Sequence, residues 1–168
     1  MRYMQKFFIL WGSLLALMIG GCTAKHYSIS EPKIITIKSQ KLKFADTGYI
    51  RHEGESVEAE LFTAGVAVEK ISIDEKVCVS AGCMSEQEFI REYLSAEYPT
   101  DTLRRILLGE PIFEGINTTE QCGGAKTQYI RNEKMDIVYR LKPGMSYFKD
   151  RNNGLIIKIE NLDENQSR

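Results

Sequence analysis

The sequence predicts a mainly β fold of the α+β class. It is a curled antiparallel sheet, or unclosed half-barrel, with two short helices inserted mid-chain. Three observations lead there. From Lys33 onward, apolar and polar residues alternate with a period of two, the pattern of strands with one buried and one wet face. The breaks between these runs are short, as antiparallel hairpins require. The period changes to helical spacing in a single stretch, between Ser85 and Gly109.

Ile35 and Ile37 alternate with Thr36 and Lys38, and Leu42 and Phe44 with Lys41 and Lys43. Val57, Ala59 and Leu61 alternate with Glu58 and Glu60. Ile71 and Ile73, then Val77 and Val79, continue the pattern. Turn residues separate the runs at Asp46-Thr-Gly48, Glu53-Gly-Glu55, Ala64-Gly65 and Asp74-Glu75. Five or six strands result. Ser85-Glu-Gln-Glu88 then forms a capping box ahead of Phe89, Ile90, Tyr93 and Leu94 at helical spacing. Pro99 ends that helix, and Thr100-Asp101 caps a second whose apolar face is Leu103, Ile106 and Leu107. Gly109 stops it, with Pro111 just beyond. Strands return at Gln128–Arg131, Met135–Leu141 and Met145–Phe148. After Asn152-Asn-Gly154 the last strand is Leu155–Ile159. Eight to ten strands in one sheet curl under their own twist. Helices apolar on one side must cover the concave face. A two-sheet sandwich with the helices at one end is the competing architecture.

The 168-residue chain is 43% hydrophobic and 27% charged, too apolar for disorder. Residues 1–21 read as a removable leader: Arg2 and Lys6, an apolar stretch from Phe7 to Ile19, then Gly20 and Gly21. That stretch is too short to span a bilayer as a permanent helix. Without Arg2 and Lys6 the mature charge is −3, so there is no basic excess to hold nucleic acid. Ile19-Gly20-Gly21-Cys22 resembles a bacterial lipobox, which implies that Cys22 carries diacylglycerol and a fatty acyl chain such as palmitate. Acyl chains anchor a protein stably once two or more are present. The residue after Cys22 is Thr23, not Asp, and the resemblance to sorted lipoproteins of Gram-negative bacteria then implies a periplasm-facing outer-membrane location, with a Gram-positive surface lipoprotein as the alternative. The expected organisation is leader 1–21, lipidated tether 22–32, one domain 33–162 and polar tail 163–168.

Candidate chemistry is sparse. Cys78, Cys83 and Cys122 lie in an exported, oxidising compartment and allow one disulfide, by any of three pairings. Their spacings fit neither a C-x-x-C redox site nor a common zinc module, and no metal ligand set is assigned. His26 and His52 read as solvated loop residues. No nucleophile elbow or phosphate loop occurs. Glu53, Glu55, Glu58 and Glu60 crowd one hairpin, and Glu58 and Glu60 read as the wet face of a strand. No catalytic group and no non-covalent cofactor are expected.

The layout is similar to the Lol-type lipoprotein carrier and receptor family. The likeness rests on the strand pair around Leu61–Ile73 with its Gly65 turn, and on Tyr98-Pro99 leading into Leu103–Leu108-Gly109-Glu110-Pro111. It covers residues 41–160 in order of elements; the family's N-terminal helix is missing and the cysteines lie outside its pattern. The resemblance implies an unclosed half-barrel plugged by helices, with acyl chains bound on the curved sheet. The expected function is a non-catalytic binding or chaperone-like module for a hydrophobic ligand such as an acyl chain. Leu61, Phe89, Tyr93, Leu103, Leu107, Ile137 and Tyr139 are the expected contacts, from their apolar-face positions. The alternative is a structural or assembly lipoprotein that binds another envelope protein.

Overall fold

The computed structural model describes residues 27–162. The leader, Cys22, His26 and the tail from 163 lie outside the described residues. Six strands come first: β1 (Ile29–Lys38), β2 (Lys43–Glu53), β3 (Ser56–Thr63), β4 (Val66–Ile73), β5 (Val77–Val79) and β6 (Gly82–Met84). Helix α1 (Glu86–Phe89) runs on into a π-helical turn, Ile90–Leu94, and α2 (Thr102–Leu108) follows. A 3-10 turn (Phe113–Gly115) leads to β7 (Thr118–Glu120), β8 (Lys126–Arg131), β9 (Asp136–Lys142), β10 (Met145–Asp150) and β11 (Leu155–Asn161).

All eleven strands form one sheet, ordered β6-β5-β4-β3-β2-β1-β11-β10-β9-β8-β7, with every pair antiparallel. The two meanders join where β1 pairs with β11, Ile35 opposite Ile159. The outermost strands β6 and β7 do not pair with each other, so the sheet stays open. A single sheet, not a sandwich, is the architecture, and the unclosed curved sheet with two inserted helices is as the sequence predicts.

The core lies between the concave face and the helices. Ile35, Leu61, Ile71, Ile137, Phe148 and Ile157 meet Phe89, Leu103, Ile106 and Ile112 there, all almost fully buried. Ser85 caps α1 as expected: its hydroxyl accepts from the Glu88 amide while the Glu88 carboxylate accepts from the Ser85 amide. Gly109 ends α2 in the left-handed conformation, φ 68°. Asp101 occupies the α2 N-cap position without a side-chain capping bond.

Several boundaries differ from the sequence reading. β1 begins at Ile29, within the segment expected to be tether, because Ile29–Pro32 pair with Tyr49–His52. Asp46-Thr47-Gly48 is not a turn. β2 runs straight through it, and Gly48 pairs with Leu61 and Lys33. β7 carried no signal in Thr118–Glu120, which are polar and sit at an edge. Glu58 is not on a wet face. It is 5% exposed, because Arg51, Lys70 and Tyr27 close over it.

Cys78 and Cys83 face each other across the β5–β6 hairpin and are disulfide-bonded; Cys122 is free and exposed. The bridge holds two three-residue strands, of which only β5 pairs with β4, at Ser72 and Ile73. Closing so short a loop removes modest entropy from the unfolded chain, about 2 kcal/mol. Cys78→Ser with Cys83→Ser is therefore expected to cost about 2 kcal/mol in urea unfolding. Hydrogen exchange should rise first in residues 77–84, and uniform loss across the sheet would contradict this.

Candidate functional site

The seven predicted contact residues do come together, but as packing. Leu61 and Tyr139 are fully buried, and Phe89, Leu103, Leu107 and Ile137 are at most 5% exposed. Tyr93 is half-buried and stacks on Phe89, with ring centroids 4.6 Å apart. The space among Ile37, Ile71, Phe89, Leu103 and Ile157 is about 20 Å³, room for about one water and far too little for an acyl chain. Lys41 lies over the Tyr93 ring and pairs with Glu92, covering that end of the interior. An acyl chain between sheet and helices would have to displace this packing.

Of the described openings, one of about 370 Å³ lies at the other end of the sheet, where β1 begins and β9 turns into β10. Ile50, Leu107, Met145 and Ile159 form its apolar floor, and Lys33, His52, Lys142 and Asn161 its polar rim. Only Leu107 belongs to the predicted set. Lys33, Ile50, His52 and Ile159 fall on the concave side of their strands, with Ile50 and Ile159 buried and Lys33 and His52 half-buried. The rim is partly self-satisfied. Lys33 donates to Asn161 Oδ1 at 2.7 Å and also pairs with Glu31. Lys33 holds the Glu31 carboxyl below the usual range, with a smaller contribution from His52.

On the convex side Glu58 gathers Arg51, Lys70 and the Tyr27 hydroxyl. Burial alone would raise the Glu58 pKa, but Lys70, Tyr27 and Arg51 more than offset it and hold the carboxyl low. Burial, then the Glu58 charge, pushes Tyr27 up to about 12, so it donates throughout the neutral range. The cluster therefore fixes the first described residue, Tyr27, on the convex face.

β4 provides a second surface. It pairs with β3 along its length but with β5 only at Ser72 and Ile73, so its outer edge from Val66 to Ile71 faces no strand among the described residues. Val66 is 66% exposed and Val68 51%, and Thr63–Val68 carries no charge. Sequence reasoning missed this edge because the alternation that reveals a strand does not reveal whether a neighbour covers it.

Among the described residues no helix is long and apolar enough to cross a membrane, and no cluster of His, Cys, Asp and Glu could hold a metal. Compared with protein-family models, curated proteins and solved structures, the chain matches none.

Proposed function

We propose that this protein is an envelope lipoprotein, tethered to the outer membrane through acylated Cys22, and that its domain is a non-catalytic contact module for another envelope protein. The observation that carries the reading is the uncharged, unpaired stretch Val66–Val68 at the start of β4, beside a filled interior. A free edge with exposed Val66 and Val68 suits an extended partner segment, whose backbone would complete the ladder while its side chains meet the valines. Native proteins ordinarily blunt such an edge with charge or a bulge; here the charges begin only at Glu69 and Lys70 and the bulge falls at Val68, so the protection starts where the exposed valines end.

Val66→Lys and Val68→Lys test this. Both positions are exposed, so each substitution should change stability by no more than about 0.5 kcal/mol. Each is expected to reduce co-purification of a stoichiometric envelope partner at least tenfold at unchanged melting temperature. Equal recovery from both variants would refute the edge as the contact.

A second reading, a carrier of a hydrophobic ligand such as an acyl chain, is favoured by the mouth opening, whose volume falls within the range of small-ligand sites. The curved, unclosed sheet and the Lol-type resemblance support it. Leu108 also lines that opening, so binding of an acyl probe abolished by Leu108→Glu, and left intact by Val68→Lys, would favour it over the first.

A further inference from the structure

The chain is slightly acidic overall, yet the middle of its convex face is basic. On β2 the residues Lys43, Ala45 and Thr47 point away from the core, since Phe44 and Gly48 between them are buried. The same alternation puts Thr36 and Lys38 of β1, Ile156 and Lys158 of β11, Tyr147 and Lys149 of β10, and Arg140 of β9 on that face. The register then aligns two adjacent rows. One runs Lys43, Lys38, Ile156, Lys149 across four strands, and the next runs Thr36, Lys158, Tyr147, Arg140. No acid stands in these positions.

Lys38 and Lys43 sit directly opposite each other, a like-charge pairing that weakens a sheet. Among the described residues Lys38, Lys43, Arg140 and Lys149 form no ion pair or hydrogen bond through their side chains, and only Lys158 has an acid, Glu160. An open basin of about 300 Å³ lies around Ile156 with Lys38 and Lys149 on its walls. Strands spaced about 4.8 Å apart make the five-cation patch roughly 20 Å wide. It occupies the central strands of the sheet, β2, β1, β11, β10 and β9.

The first described residue lies on this same side, where the Tyr27 hydroxyl donates to Glu58. Four residues lie between Cys22 and Tyr27, five steps of chain that reach about 17 Å when extended. We infer that the convex face formed by Lys38, Lys43, Lys149, Lys158 and Arg140 docks on the anionic headgroups of the bilayer that holds the anchor. The β4 edge and the mouth opening are thereby kept clear of the lipid. The charge argument stands on the sheet alone; the choice of a bilayer as the polyanion rests on the anchor read at Cys22.

The test uses the full chain as isolated from membranes, reconstituted in phosphatidylcholine vesicles with or without phosphatidylglycerol. Lysines are modified with an amine-reactive acetylating reagent and read by mass spectrometry. With phosphatidylglycerol, Lys38, Lys43, Lys149 and Lys158 are expected to react on the order of fivefold more slowly than in phosphatidylcholine alone, while Lys76 and Lys134 keep their rates. High salt should erase the difference. Lys38→Gln with Lys149→Gln should remove most of the protection of Lys43 and Lys158. Equal rates in both vesicle types overturn the proposal, as does protection by soluble polyglutamate but not by phosphatidylglycerol. The same spectra give the mass of the Cys22 peptide. If it lacks acyl chains the anchor reading fails, while the lysine rates still decide whether this face binds anionic lipid.

Discussion

Asp150→Ala is expected to cost about 3–4 kcal/mol, because one carboxylate organises the junction of the second meander with the segment after α1. Asp150 is 1% exposed at the end of β10. Its Oδ2 accepts from the Tyr98 hydroxyl at 2.6 Å and from the Asn153 side-chain amide at 2.7 Å. Its Oδ1 accepts from the backbone amides of Asp136 and Asn152 at 3.1 and 2.9 Å. Alanine leaves the buried Tyr98 hydroxyl and these amides without an acceptor, and each orphaned buried donor costs about 1–3 kcal/mol. Tyr98→Phe removes one donor and leaves the others in place, so it should cost about half as much. Chemical denaturation of both variants and their double mutant gives the comparison. A double mutant much worse than Asp150→Ala alone would contradict the shared network.

The same site sets an acid limit. Burial by itself would raise the Asp150 pKa, yet hydrogen bonds from Tyr98, Asn153 and the backbone bring it below the ordinary aspartate value. A carboxyl with a depressed folded pKa adds stability that is fully present above its unfolded value, near pH 4, and is lost as pH falls through the folded value. Wild-type stability should thus drop below about pH 4, and Asp150→Asn should flatten that drop. An unchanged acid slope in the variant would place the titration elsewhere.

How much of this was legible in the sequence depends on which force shaped each part. The half-open sheet and its helices were legible because burial imposes a period on the chain, and Ile35, Leu61, Ile137 and Ile157 keep it. Ser85 and Gly109 were legible because capping is local chemistry. Asp150 was not, since its partners Tyr98 and Asp136 are distant in sequence and only the fold brings them together. Glu58 was misjudged for a related reason. Alternation correctly puts it on the convex side, but it cannot foresee that Arg51, Lys70 and Tyr27 converge there and bury it. The free β4 edge and the basic rows depend on strand order and register, which periodicity leaves open.

Gly48 is the sharpest case, and it yields the second large effect. Beside Asp46 and Thr47 it has the composition of a turn, yet it sits mid-strand, buried between Lys33 and Leu61. The reason is space rather than flexibility. A Cβ there would stand 2.7 Å from the Glu60 carbonyl oxygen and 2.7 Å from Ile35 Cδ1. Glycine in a strand often marks such close approach. The Ile35 methyl can rotate away, but the Glu60 carbonyl belongs to the paired backbone of β3 and cannot move without opening the β2–β3 ladder. Gly48→Val is expected to cost about 3 kcal/mol, near the upper end for overpacking, and Gly48→Ala somewhat less. The loss should be local at first, with hydrogen exchange rising in residues 46–50 and 59–63 before the β8–β11 half responds. If Gly48 were a turn residue valued for its backbone freedom, alanine and valine would cost nearly the same. A graded loss with side-chain size, read from urea midpoints, separates close packing from turn geometry.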